Sequence, residues 1–122
     1  MIIPYQQDYK KIAMGLLSYM PGEKKVKKLQ NTMDQYSGNR DWELYFWKEE
    51  DTFVGIMGVE MDGERAYLHH LCVNPSFRSE GIGKRMVREL ESHLGTTALC
   101  PTKPTTSFLD SCNESGNERK EG

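Results

Sequence analysis

The chain has no long apolar run, nothing near the roughly 18 consecutive residues that a membrane span needs. Cysteine is scarce. The 3 present, Cys72, Cys100 and Cys112, are odd in number and widely spaced, which fits neither a disulfide framework nor a zinc-ligand pattern. Cys72 and Cys100 sit among apolar neighbours and read as small buried hydrophobes. Nor does one sign of charge dominate: the formal net charge is −2, so no nucleic-acid partner is called for. The single basic run, Lys24, Lys25, Lys27 and Lys28, reads as the solvated face of a helix. The N-terminus also lacks the basic-then-apolar layout of a secretory leader, so the expectation is a cytoplasmic protein without a membrane partner.

What is present is an ordinary globular composition, with 37% hydrophobic and 28% charged residues, which excludes global disorder. A length of 122 residues suits one domain. That domain is expected over residues 1–112, with a polar, disordered tail over 113–122, where no apolar residue occurs.

Periodicity gives the order of the elements. Ile2 and Ile3 start a short strand before Pro4. Ile12, Leu16, Leu17 and Met20 recur at helical spacing from Asp8 until Pro21-Gly22. A second helix is predicted over Glu23 to Tyr36, with Val26, Leu29 and Met33 on one stripe, before Ser37-Gly38-Asn39 ends it. Strand chemistry follows in Glu43 to Lys48, Phe53 to Met61 and Arg65 to Val73, the last two joined by a hairpin at Asp62-Gly63. Beyond Asn74-Pro75 a helix from Ile82 carries Met86, Val87, Leu90 and Leu94 on one face, and Gly95 closes it. Thr96 to Cys100 reads as a short buried strand, parallel to Arg65 to Val73, which completes a βαβ unit. Thr105 to Cys112 forms one more short helix.

The junction between that hairpin strand and the amphipathic helix carries the chemistry. A helix start leaves backbone N–H groups without helical partners and concentrates partial positive charge, so it suits an anion. Gly81 and Gly83 leave those donors open, and Arg78 and Lys84 add full positive charge. A P-loop is excluded because Arg78 and Arg85 stand where it needs Gly and Ser or Thr. A dinucleotide fingerprint is excluded by Met86 in place of its third Gly.

What remains, Arg78-Ser79-Glu80-Gly81-Ile82-Gly83 after Leu71-x-Val73-x-Pro75, resembles the coenzyme A–binding motif of the GNAT acetyltransferase superfamily. The order of elements along nearly the whole chain is similar to that family as well. More narrowly, residues 11–18 and 73–76 resemble the small GNAT-like proteins of bacterial riboflavin operons. The resemblance implies an α/β (α+β) fold of GNAT type, with a mixed, mostly antiparallel sheet and a βαβ coenzyme A–binding unit, truncated at the C-terminus. It implies acetyl-coenzyme A or coenzyme A as cofactor, with the backbone amides of Ser79, Glu80, Gly81, Ile82, Gly83 and Lys84 around the pyrophosphate. The strand backbone at Leu71, Cys72 and Val73 would pair with the pantetheine arm as an added strand does. The acceptor would be a small-molecule or peptide amine, and no metal is implied. Members commonly end with two further strands, which 113–122 is too polar to supply. Part of the acceptor wall is then absent, or comes from a second copy of the chain in a homodimer.

Acetyl transfer to an amine needs a neutral nucleophile and a proton for the leaving thiolate. Glu60, His69 and His70 are the candidate bases. By strand alternation Tyr67, His69, Leu71 and Val73 share one face, and Leu68, His70 and Cys72 the other. The plainer reading makes both histidines ordinary strand residues and Glu60 an exposed edge carboxylate. Trp42, Tyr45, Phe46 and Trp47 fit sheet packing better than an acceptor pocket. Many family members carry a Tyr acid after a Phe in the helix that follows the last motif strand. Here Leu109 follows Phe108 and Thr102 takes the preceding Asn position, so that acid is missing, and nothing recommends Cys112 in its stead. Two functions therefore stand open: an N-acetyltransferase acting by direct attack, and a coenzyme A–binding sensor or regulator with little or no turnover.

Overall fold

Three long strands of β-branched and aromatic sequence form the centre of the molecule: β2 (Trp42–Glu49), β3 (Thr52–Asp62) and β4 (Arg65–Val73). With β1 (Ile2–Pro4) and β5 (Ala98–Pro101) they build one sheet in the order β1-β2-β3-β4-β5. Every neighbouring pair is antiparallel except β4 and β5, which run parallel, as a βαβ crossover requires. The structure is a computed structural model and describes residues 1–20 and 25–109, with the side chains of 78–80 outside that description. The Pro21-Gly22 stop, Lys24, Cys112, the end of the last predicted helix and the predicted tail over 113–122 lie outside the described residues. Among the described residues no helix is long and apolar enough to cross a membrane.

Each face of the sheet carries its own core. Helices α1 (Lys10–Leu17) and α2 (Val26–Gly38) cover one face over Leu44, Phe46, Ile56 and Cys72. Helix α3 (Ile82–Leu94) covers the other over Tyr45, Met57, Val59, Leu68 and Val73. Burial of Tyr45, with Glu43 beside it, pushes that phenol up to about 12.

Three details differ from the sequence reading. Along α1 and the turn that follows it the buried stripe is Ala13, Leu16, Leu17 and Met20, while Ile12 is exposed. Residues 13, 16, 17 and 20 keep a strict i, i+3, i+4, i+7 phase, and Ile12 falls a residue out of it. On α2, Val26 is 65% exposed although in phase with Leu29 and Met33, because it occupies the first helical position and packing begins a turn later. Strand β5 is not buried. It stands last in the strand order, its ends are exposed and its two middle residues are only half-buried.

Candidate active site

The chemistry-bearing stretch of β4 is irregular. Gly58 pairs with His70 and Val59 pairs with Leu68, so His69 has no partner across the ladder and forms a β-bulge. A bulge shifts the phase of everything beyond it. Ala66 and Leu68 face the α3 core, and Leu71 and Val73, past the bulge, face it too. The predicted alternation, which placed Leu68 with His70 and Cys72, is thereby corrected at Leu68: Cys72 lies in the opposite core and His70 meets Tyr36 of that same core, while Leu68 does not. The same shift lets two consecutive residues, His69 and His70, line one cleft. In a regular strand they would point to opposite faces.

That cleft encloses about 470 Å³. One wall is a polar stripe of α2, Lys28, Asn31, Thr32 and Gln35, at helical spacing. The opposite wall holds the histidines and Trp42. His69 Nε2 lies 2.9 Å from Glu60 Oε1, and the imidazole stacks on the Trp42 ring at 4.4 Å with an interplanar angle of 17°. The His69 side chain is 26% exposed and that of Glu60 39%, so both reach solvent. His70 is buried, and its Nδ1 lies 2.6 Å from the Tyr36 hydroxyl. The structure thus brings His69 together with Glu60, and places His70 beside them with a separate partner.

Beyond the histidines lies a second hollow, of about 340 Å³, lined by Leu71, Cys72, Val73, Gly83 and Phe108. Its origin is the early end of the β4–β5 ladder. The parallel pairing covers Arg65 to Leu68 and stops. There the Leu68 carbonyl accepts from Thr102 Oγ1 and Thr105 Oγ1, each at 2.7 Å, and β5 gives way to the turn Lys103–Thr105. The backbone of β4 runs on past Leu68 without β5 alongside, which leaves room for an extended ligand on that edge. Pro104 lines both hollows, so they adjoin.

The start of α3 closes this groove. Asn74 accepts from the Ser76 amide through its side chain and opens a 3-10 turn, Pro75–Glu80, that carries Arg78, Ser79 and Glu80. Gly81 follows at φ +71° and serves as the helix N-cap without a side-chain bond. The first intrahelical bond joins the Arg85 amide to the Gly81 carbonyl. The amides of Ile82 and Gly83 precede it and have no acceptor within the helix. The Ile82 side chain is buried in the α3 core, so only its backbone can face a ligand; Lys84 is exposed. The absence of a side chain serves a packing purpose at each glycine as well. Space beside Gly81 is open and its left-handed φ explains the residue, whereas a Cβ on Gly83 would meet Phe108 at 2.6 Å. Gly83 makes room for an aromatic ring while its backbone stays on the groove.

Sequence reasoning missed Tyr36, Gly58 and the α2 stripe. Tyr36 appeared only as the last residue of a helix, and its partner is 34 positions away. For the stripe, the signal was the polar quartet 28, 31, 32 and 35 at helical spacing. Trp42, expected to pack on the sheet, lines the cleft and covers His69, while Tyr45 and Trp47 belong to the α3 core and Phe46 to the other.

Over residues 11–103 the sequence matches the acetyltransferase (GNAT) family. It is 46% identical over 113 residues to an uncharacterized N-acetyltransferase in the lysA 3′ region of Bacillus methanolicus, an alignment spanning 92% of this chain and 94% of that protein. The fold is similar to that of AAC(6')-Iy, solved with the bisubstrate analog CoA-S-monomethyl-acetylneamine, at a TM-score of 0.72 and 12% identity, covering 94% of this chain and 87% of that one. It is also similar to the ribosomal-protein-S18-alanine N-acetyltransferase from Escherichia coli, at a TM-score of 0.70 and 14% identity, covering 94% and 74% of the two chains. At these identities the structural likeness concerns the fold.

Proposed function

The chain belongs to the acetyltransferase (GNAT) family, and from that membership we propose that it moves acetyl from acetyl-coenzyme A to a primary amine of a small molecule by direct attack. The observation that carries this reading is the adjacency of two hollows along β4: a polar cleft holding the Glu60–His69 pair and a groove on the strand edge that β5 vacates.

The groove fits an extended thioester arm. The β4 backbone from Leu71 to Val73 would hold its amides, and the amides of Gly81, Ile82 and Gly83 would meet its diphosphate at the positive end of α3. When bound, acetyl-coenzyme A supplies an activated acetyl group on a good leaving thiolate.

His69 accepts the proton that the amine gives up, because neutral imidazole is a suitable base near neutral pH. Glu60 fixes the ring through its 2.9 Å contact, and the positive charge the ring gains is stabilised by that carboxylate and by the π face of Trp42. The cleft volume of about 470 Å³ lies in the range of small-molecule sites. The α2 stripe supplies donors and acceptors that orient a polar acceptor. A kinship with the riboflavin-operon proteins, supported by residues 11–18 and 73–76, is part of this proposal.

The test is acetyl-coenzyme A consumption across pooled amines and peptides, with cofactor binding measured in parallel. Consumption that depends on the amine supports the reading. Binding without consumption by any pool replaces it with the sensor.

A further inference from the structure

Tyr36 does not line the cleft, yet three observations converge on it. Its hydroxyl lies 2.6 Å from His70 Nδ1, and the two residues are only 7% and 8% exposed. Gly58, the ladder partner of His70, has no side chain, and a Cβ built there would overlap the Tyr36 hydroxyl. The edge of the Tyr36 ring meets Trp42 at 5.3 Å and 74°, which fixes its plane. A glycine in mid-strand is unfavourable unless another group needs the room, and here the group is this phenol.

A phenolic O–H, with an ordinary pKa of about 10, is a much better donor than the N–H of neutral imidazole. The 2.6 Å separation is in the range of bonds donated by O–H. We infer that Tyr36 is a positioning residue: it donates to His70 Nδ1 and so holds His70 as the neutral tautomer with its proton on Nε2. His70 lines the acceptor cleft and is followed directly by Leu71 of the cofactor groove, so it stands at the junction of the two.

Resting on the acetyl-transfer reading, the Nε2–H of His70 donates to the thioester carbonyl oxygen as negative charge develops there. The amine nitrogen bonds to the carbonyl carbon and the carbon–sulfur bond breaks. The proton leaving the amine passes to His69, and the imidazolium so formed returns it, directly or through water, to the departing thiolate; His70 keeps its own proton throughout. One histidine moves a proton while its neighbour holds one.

Nitrogen-15 NMR of the histidine-labelled full chain at neutral pH reads the tautomer without substrate. The wild type should show His70 protonated at Nε2, and Tyr36→Phe should show a mixture of tautomers. In turnover, Tyr36→Phe should lower kcat by about 10- to 100-fold with KM for acetyl-coenzyme A nearly unchanged. His70→Gln, which keeps an N–H donor, should retain more rate than His70→Ala. Wild-type His70 protonated at Nδ1, or a Tyr36→Phe variant with unaltered tautomer and kcat, overturns the inference. A wild-type chain that turns over no amine refutes the acetyl-transfer reading instead, and the spectrum alone then decides the role of Tyr36.

Discussion

Glu60 and His69 are not register partners, yet their side chains meet at 2.9 Å: Glu60 pairs across the ladder with Tyr67, and His69, two residues further on, is its diagonal neighbour on the same face. A base and its orienting carboxylate are thus assembled across a single hairpin. Removing either partner should affect chemistry more than cofactor affinity.

His69→Ala should lower kcat/KM by about 100-fold or more, the usual contribution of a positioned base, while Glu60→Gln, which keeps shape but not charge, should lose about 10-fold. Thiol release with the fastest amine found checks both. Equal and unchanged rates in the two variants would remove His69 from the mechanism.

Gly58→Ala should destabilise the fold by about 1–3 kcal/mol, because the new methyl overlaps the Tyr36 hydroxyl in a packed interior. A urea melt compares it with the Gly58→Ala, Tyr36→Ala double variant. The double variant should lose less than the sum of the single losses, since the clash is then gone.

Gly81→Ala should lose about 1–2 kcal/mol from its left-handed backbone alone, with no new contact. Gly83→Ala should be destabilised through Phe108, and Phe108→Ala should relieve part of that loss, whereas it leaves the effect at Gly81 untouched. Thermal unfolding of the three single variants, and of Phe108→Ala combined with each glycine change, separates the two mechanisms. Additive losses in the Gly83→Ala, Phe108→Ala pair would show that the ring is not what Gly83 accommodates.

Alkaline stability should depend on Tyr45. Its folded pKa is raised from 10.0 to about 12, chiefly by burial, so the folded state favours the protonated phenol. The resulting stability is complete below pH 10 and is lost as pH rises toward 12, a total of about 2–3 kcal/mol at 1.4 kcal/mol per unit. Tyr45→Phe should flatten the fall between pH 10 and 12 in denaturant titrations; an unchanged slope would assign the titration elsewhere.

Much of this architecture was legible in the residues. Apolar periods of two and of 3.6, the turn at Asp62-Gly63 and the stop at Asn74-Pro75 gave the elements in order, and the Arg78 to Gly83 stretch gave the junction that faces the groove. The site itself was only half legible. Glu60, His69 and His70 could be named because imidazole suits a base near neutral pH and Glu60 stands on the strand next to them. That both histidines line one cleft was hidden, because alternation assumes a regular strand and nothing local to His69 announces an extra residue. Tyr36 was hidden for another reason: its role is set by Gly58 and His70, both remote in sequence. The exposure of β5 depends on what lies beyond it, which periodicity does not report.

The extra residue in β4 has a consequence for how the protein can change. Take away His69 and the remaining strand alternates without a flaw, Leu68 opposite Val59 and the next residue opposite Gly58. Position 69 is therefore supernumerary to the ladder: no register partner dictates what occupies it, and only Trp42 and Glu60 meet its side chain among the described contacts. Chemistry at that point can change by one substitution while the pairing of the strands persists.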